Sequence, residues 1–386
     1  MKVLIVHNNY GKYSGEEAVV DKMATMLMDC GHDVCFYRKT TEGCRETISG
    51  KVKGFFCGIY SPRGVREMRE VLQKEKPDVV NVHNLYPFIS PAALFECKRA
   101  GVPVVMTVHN FRLICPTGLF MRNGKPCERC LEKRNEWGCI LHNCEHSWMK
   151  SIGYAARNAV ARKSRAYKDC VDRFVCITAF QKQKLIAAGY GVGKMAVIPN
   201  NIDVVDSLTQ KKGDYVAYLG RLSYEKGYDL LIEVARRHPE ISFRFAGAQR
   251  ENSFEQLPAN VQMVGYLQGG QLDDFIGNCR FIVMASRWYE GFPMVILEAA
   301  LQGKPAIGPA HGGFLEIIGE GDSAIGTLFQ PGNVDDLEEK VSALWEDQKK
   351  CMRLGERAFR KLKNVYSTEI TSAQWIQLLT SVCNKK

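Results

Sequence analysis

Phe281-Ile282-Val283-Met284-Ala285-Ser286-Arg287-Trp288-Tyr289-Glu290-Gly291-Phe292-Pro293-Met294-Val295-Ile296-Leu297-Glu298-Ala299-Ala300 reads as a buried strand, a loop and the opening of a helix. Residues 281–284 are short and apolar with β-branched members, as a central parallel strand requires. Pro293 suits the start of a helix, where its missing N–H would have no intrahelical partner. Glu290 then lies in the loop and Glu298 about one turn into the helix. An acid inside the run from Val295 to Leu301 is costly to bury without a partner. A carboxylate in that place can accept from two vicinal hydroxyls, the way α/β folds hold a ribose.

The same alternation of strand and helix extends outward in two rounds. The first has strands at 2–6, 33–37, 78–82, 102–108, 173–177 and 195–198. Between the first two, Val19, Val20, Met23, Met26 and Leu27 recur at helical spacing over 16–30, and Gly31 offers a stop. Pro199-Asn200-Asn201-Ile202-Asp203 has the character of a linker. The second round has strands at 215–219, 242–246, 261–264, 281–284 and 305–307. The chain closes on Ile370, Trp375, Leu378, Leu379 and Val382, spaced as one face of a helix. The expected fold class is α/β with two Rossmann-like domains and parallel sheets. The boundaries fall at 1–202, 203–366 and a terminal helix 367–386.

With 386 residues, 46% hydrophobic and 24% charged, the composition is that of an ordinary globular protein. The apolar run from Val3 to Val6 ends at His7, too short for a secretory leader, and no stretch of about 18 apolar residues is present. A cytoplasmic location is therefore expected, with the 15 cysteines reduced, buried or metal-bound. The net charge of +10 is carried by the first 200 residues; the remainder holds slightly more acid than base. A basic half suits an anionic partner, whether nucleic acid, an anionic membrane or a phosphorylated substrate.

In open parallel sheets, ligands bind beyond the carboxyl ends of the strands. After the first strand, His7-Asn8-Asn9-Tyr10-Gly11 leads to Gly15-Glu16, a loop whose glycines let backbone amides approach an anion. After 102–108 come His109 and Asn110. After 215–219 come Gly220-Arg221-Leu222-Ser223-Tyr224-Glu225-Lys226-Gly227, two cations beside a helix start and so suited to a diphosphate.

These residues together resemble the retaining glycosyltransferases of family four, with the GT-B fold of two facing Rossmann-like domains. The E-x7-E spacing of Glu290 and Glu298 carries most of the likeness. Gly220-Arg221 with Glu225-Lys226-Gly227, and His311-Gly312-Gly313-Phe314-Leu315-Glu316-Ile317, match two further hallmarks. In the linker, Asn200-Asn201 stands where the family has Asn-Gly.

The resemblance implies roles. Arg221 and Lys226 neutralise the leaving diphosphate, and Glu298 holds the ribose. Glu290 contacts the transferred sugar, helped by backbone groups at Gly291, Phe292, Pro293, Met294 and Val295. His109 lies near that sugar. Gly15 approaches the diphosphate or acceptor from the other domain, and Tyr266 and Leu267 lie by the base. It also implies a nucleotide-sugar donor (UDP before GDP), a glycan or lipid-linked acceptor in cell-surface polysaccharide synthesis, and a C-terminal helix crossing back to the first domain. No Asp-x-Asp is present to hold a metal, so no cofactor is expected for catalysis.

Residues 115–146 form a Cys-rich insert. Cys115, Cys127, Cys130, Cys139 and Cys144 lie beside His142 and His146. In a reducing compartment such a cluster points to structural zinc, with Cys115, Cys127, Cys130 and Cys144 as ligands and Cys139 as a substitute. Residues 147–172 then read as a basic amphipathic helix suited to an anionic membrane or to packing on the core. Two rival functions stay open: a nucleotide-sugar epimerase of the same architecture, and a non-enzymatic nucleic-acid binder. Against the second, the basic residues are not interleaved in a recognisable nucleic-acid module, so no nucleic-acid partner is expected.

Overall fold

The computed structural model describes residues 1–10, 15–44, 46–249 and 257–384. In chain order the strands are β1 (Lys2–Asn9), β2 (Asp33–Thr40), β3 (Val79–Asn84), β4 (Val104–Val108), β5 (Met121–Arg122), β6 (Lys125–Pro126), β7 (Arg173–Cys176), β8 (Met195–Val197), β9 (Val216–Leu219), β10 (Phe243–Ala246), β11 (Val261–Gly265), β12 (Phe281–Val283), β13 (Ala306–Pro309) and β14 (Gly326–Phe329). The chain forms two compact units. One comprises Met1–Phe120, Glu128–Pro199 and Ser372–Lys386; the other comprises Met121–Cys127 and Asn200–Thr371.

The first unit is built on a parallel sheet in the order β2-β1-β3-β4-β7-β8. Val3, Leu4, Ile5 and Val6 are fully buried, because helices cover both faces of such a sheet. The helix Gly15–Asp29 packs Val20, Met23, Met26 and Leu27 onto Val3 and Ile5. Trp375, Leu379 and Val382 of the helix Thr368–Cys383 join the same core. Each such side chain gains about 1.5–3 kcal/mol by leaving water, which ties the chain terminus to this sheet.

The second unit carries a parallel sheet in the order β11-β10-β9-β12-β13-β14. Numbered within the sheet, that is 3-2-1-4-5-6, the doubly wound arrangement of dinucleotide-binding folds. Tyr218, Phe243, Phe245, Phe281 and Phe329 fill its core.

Several expectations need correction. β1 and β3 run on to Asn9 and Asn84, so His7 and His83 are strand residues and not loop residues. β14 was not anticipated: a four-residue edge strand beginning Gly326-Thr327 has too short an apolar run to stand out. The segment 147–172 is two helices, Trp148–Lys163 and Ala166–Cys170, separated at Arg165, which adopts φ of 58°. The first buries Ser151, Arg157 and Asn158 and exposes Trp148, Met149 and Ile152. Lys150, Arg162 and Lys163 are exposed beside them while Arg157 is buried, so the face turned to water is apolar as well as basic.

The structure does not support the expected zinc site, although Cys115, Cys130 and Cys144 lie near enough to Cys139 to act on its charge. Among the described residues, no group of three or more His, Cys, Asp or Glu side chains is arranged to hold a metal ion, and none of Cys115, Cys127, Cys130, Cys139 and Cys144 is in a disulfide. Cys115 Sγ lies 3.3 Å from Thr117 Oγ1, and Cys144 Sγ lies 3.9 Å from the Gly138 carbonyl. Cys139 is buried, and its hydrogen bond with Cys144 and its burial push its thiol pKa upward. A tetrahedral site needs four thiolates pointed at one centre; Cys115 and Cys144 also have polar neighbours of their own.

Candidate active site

The strand order of the second sheet reverses between β9 and β12, and its candidate site lies beyond the carboxyl ends of those two parallel strands. The chain leaves β9 through Gly220 and Arg221 and makes one 3₁₀ turn, Tyr224–Lys226. At Gly227 (φ 68°) it swings into the helix Tyr228–Arg237. A Cβ on Gly227 would meet the Ala285 carbonyl oxygen at 1.9 Å, so only glycine lets this turn pass so close to the end of β12. Arg287 staples the two loops together. Its guanidinium forks onto Asp229 with two bonds of 2.6 Å and reaches the Tyr224 carbonyl, while its backbone N–H donates to Glu225.

That staple holds Lys226 against Glu290. Lys226 Nζ lies 2.5 Å from Glu290 Oε1 and 5.2 Å from the centre of the Trp288 ring. The same oxygen accepts from Ser286 Oγ at 2.8 Å and Trp288 Nε1 at 2.7 Å; Oε2 takes none of these bonds. Burial pushes the Glu290 pKa up, but the Lys226 charge and the three donors outweigh it, and the net shift is downward. Glu290 is thus a buried carboxylate that stays ionised. Gly313 N donates to the Glu290 carbonyl, and His311 Nε2 donates to the Ser286 carbonyl at 2.9 Å. This places the His311 proton on Nε2 and leaves Nδ1 buried without a partner among the described residues.

Glu298 sits on the helix Met294–Leu301, whose Ile296, Leu297, Ala299 and Ala300 face the core. Its carboxylate is half-buried and has no hydrogen-bond partner among the described residues. Burial, with the Asp273 charge second, raises its pKa. No side chain caps this helix. Pro293 has no N–H, so the amides of Met294 and Val295 are the first it can offer a ligand. Phe292 is buried against Tyr366, with ring centres 5.6 Å apart. Arg221 is half-buried, its Nη2 3.4 Å from Glu225. Tyr266 is exposed and Leu267 half-buried, just past Gly265 at the end of β11.

The first unit gathers a second polar cluster at its strand ends. His7 from β1, His83 from β3 and His109 just after β4 come together there. His83 Nδ1 and His109 Nε2 are 2.8 Å apart, so one neutral ring donates to the other, and the rings stack at 5.0 Å. His7 stands edge-on to His83 at 6.3 Å. Burial drives all three away from the charged form: His7 and His109 to about 4, and His83 well below its ordinary value. Tyr10 donates to Glu16 Oε2 at 2.9 Å and accepts from Arg112 at 2.8 Å. Both His7 ring nitrogens, His83 Nε2 and Glu16 Oε1 are buried without a hydrogen-bond partner among the described residues. An unmade buried bond costs about 1–3 kcal/mol, so such groups concentrate where a ligand completes them. Gly15 opens the helix after β1, and a Cβ there would touch no protein atom. Gly11 lies outside the described residues.

Sequence reading singled out His109, Arg221, Lys226, Glu290 and Glu298, and the structure brings Lys226 and Glu290 together. It did not single out His83, Ser286, Trp288 or Arg287. The visible signal was positional, since each stands at or just past the carboxyl end of a strand.

Comparison with known proteins agrees with this architecture. Residues 13–206 match the family model for Glycosyltransferase Family 4, and residues 201–361 match that for Glycosyl transferases group 1. The chain belongs to glycosyltransferase family 4. It is 25% identical over 384 residues to an uncharacterized 42.6 kDa protein in the cps region of Klebsiella pneumoniae, covering 88% of this chain and 96% of that one. It is 32% identical to the sulfoquinovosyl transferase SQD2 of Arabidopsis thaliana over 83% of this chain and 61% of the relative. Among solved structures, Anabaena Alr3699/HepE in complex with UDP superposes with a TM-score of 0.67 at 17% identity, covering 99% of this chain and all of the other. The fold is GT-B and the chain is a glycosyltransferase.

Proposed function

We propose that this enzyme transfers a sugar from a nucleoside diphosphate sugar, UDP- before GDP-, to a glycan or lipid-linked acceptor of cell-surface polysaccharide synthesis, with retention at the anomeric carbon and without a metal. The observation that carries the reading is the fixed Lys226–Glu290 pair at the β9/β12 switch point, with Glu298 one turn into the next helix and in want of a partner. The UDP in the Anabaena structure and the cps region of the Klebsiella relative support the donor and the setting.

In the reaction, the bond from the anomeric carbon to the diphosphate oxygen breaks and negative charge grows on the departing phosphate. Cations already held in place stabilise that charge without reorganising. Lys226 and Arg221 supply them, joined by the Met294 and Val295 amides at the helix start. Glu298 accepts from the ribose hydroxyls. Glu290, anchored through Oε1, offers Oε2 to the transferred sugar beside Gly291 and Phe292. Backbone groups at Tyr266 and Leu267 meet the base. The family resemblance assigns His109 to the transferred sugar and Gly15 to the diphosphate or the acceptor.

Thermal unfolding against UDP, GDP, ADP and CMP tests the donor. At a hundredfold its Kd, the right nucleotide stabilises by about 2.7 kcal/mol. The melting temperature of wild type should rise with one nucleotide, and that of Glu298→Ala should not. No rise with any nucleotide at millimolar concentration would remove the donor-site assignment. Turnover should also survive EDTA; loss of activity with the fold intact would show that a metal takes part.

A further inference from the structure

The helix Trp148–Lys163 buries polar groups on its inner side and exposes large apolar ones on its outer side. Inward it sends Arg157, whose guanidinium lies 4.3 Å over Tyr86 and 4.6 Å over Tyr154 and donates to the Pro116 carbonyl at 2.7 Å. Asn158 also points inward and donates to the Arg112 carbonyl. Outward it shows Trp148 at 57%, Met149 at 74% and Ile152 at 45% exposure.

The helix Ile48–Ile59 lies against it. The contact is close, since a Cβ on Gly153 would come within 2.3 Å of the Phe55 ring. This second helix also turns its apolar residues to solvent. Ile48, Val52 and Phe56 recur at i, i+4 and i+8 and are 82%, 47% and 63% exposed, with Tyr60 next in the series. Trp137 and Leu141, on the short helix packed beside Trp148–Lys163, are exposed as well. A cleft of about 370 Å³ borders the face, lined in part by Ile59, Tyr60, Phe95 and Val160.

An apolar surface of this extent on a water-soluble unit marks an interaction site. Its charge selects the partner. Lys51, Lys53, Lys150 and Lys163 are exposed around it, and neither long helix contains an acidic residue. Apolar side chains, interfacial aromatics and helices whose charged residues are all cationic are what an anionic lipid surface requires: the chains enter the headgroup–acyl boundary while the lysines meet lipid phosphates. A protein partner would need acidic residues set opposite each lysine. A second copy of this face would set lysine against lysine.

We propose that the face formed by helices Ile48–Ile59, Trp137–Leu141 and Trp148–Lys163 docks the enzyme on an anionic bilayer. Ile48, Val52, Phe56, Trp148, Met149 and Ile152 enter the interface, and the four lysines hold the headgroups. Docking is independent of which nucleotide the second unit binds, so it stands or falls apart from the donor assignment.

Co-flotation with vesicles of phosphatidylethanolamine and phosphatidylglycerol, against vesicles of phosphatidylcholine alone, tests it. Wild type floats with the anionic vesicles, and binding weakens as salt screens the lysines. Phe56→Glu/Trp148→Glu lowers the partition coefficient by more than about tenfold, because two charges must enter the interface. Lys51→Gln/Lys150→Gln lowers it by about tenfold or more, at roughly 1 kcal/mol per lysine. The altered side chains face water, so circular dichroism and the melting temperature of both variants match wild type. Absence of wild-type flotation with anionic vesicles at low salt overturns the proposal. So does flotation unaffected by Phe56→Glu/Trp148→Glu, or a concentration-dependent dimer in sedimentation velocity that this variant abolishes.

Discussion

Lys226→Ala is expected to lower kcat by about 10²–10³-fold, the usual cost of losing one fixed group that stabilises transition-state charge. It is also expected to destabilise the second unit. Removing one member of a buried ion pair costs about 3–5 kcal/mol when the other charge is left unpaired. Here Ser286 and Trp288 still donate to Glu290 Oε1, which brings the expected loss to the lower end of that range. The two effects separate in Lys226→Ala/Glu290→Gln, where no charge is stranded. That double variant should regain most of the stability and none of the turnover. Urea unfolding and initial rates at saturating donor measure both. A Lys226→Ala enzyme within threefold of wild-type turnover would mean that the leaving group is stabilised elsewhere.

The first unit is expected to lose stability steeply in mild acid. His7 and His109 titrate at about 4 in the folded chain and near 6.5 when unfolded; His83 is also depressed. A histidine with a lowered folded pKa binds more protons when unfolded, so its contribution is complete above pH 6.5 and disappears as pH falls toward 4. Each contributes a slope of about 1.4 kcal/mol per pH unit in that window. Across it, His7 and His109 each remove roughly 3 kcal/mol, a large share of the 5–15 kcal/mol that holds a typical domain. Glu16 works in the opposite direction. Burial raises its pKa, so its protonation favours the fold as acid is added and offsets part of the loss. Urea midpoints at pH 7, 6, 5 and 4.5 should fall progressively, and His7→Asn should flatten the curve. A midpoint unchanged between pH 7 and pH 5 would exclude the histidine cluster as the acid-sensitive element.

Much of this molecule was legible before any coordinate. The strand at 281–284, the loop and the helix bearing Glu298 follow from a β-branched apolar run, a proline at a helix start and the cost of burying an acid. The pairing of Lys226 with Glu290 was not legible as a contact: 64 residues separate the pair, and no periodicity spans that distance. Arg287 reads as an ordinary loop cation until its fork on Asp229 is seen. His83 looked like the residue after a strand, because a polar Asn-Val-His-Asn ending interrupts the apolar run by which strands are recognised. The zinc expectation found no support for a related reason, since cysteine spacing along the chain does not determine where each Sγ points.

The sequence by itself determined the class of fold, the order of its elements and the types of residue at the strand ends, because hydrophobic periodicity and turn chemistry are local properties. Only the tertiary structure decided which of those residues meet. It seated Lys226 on Glu290, brought three histidines into one cluster, and turned Trp148, Met149 and Ile152 outward while Arg157 went in. Each outcome depends on how helices and strands pack, and packing is settled by the sum of many contacts distant in sequence.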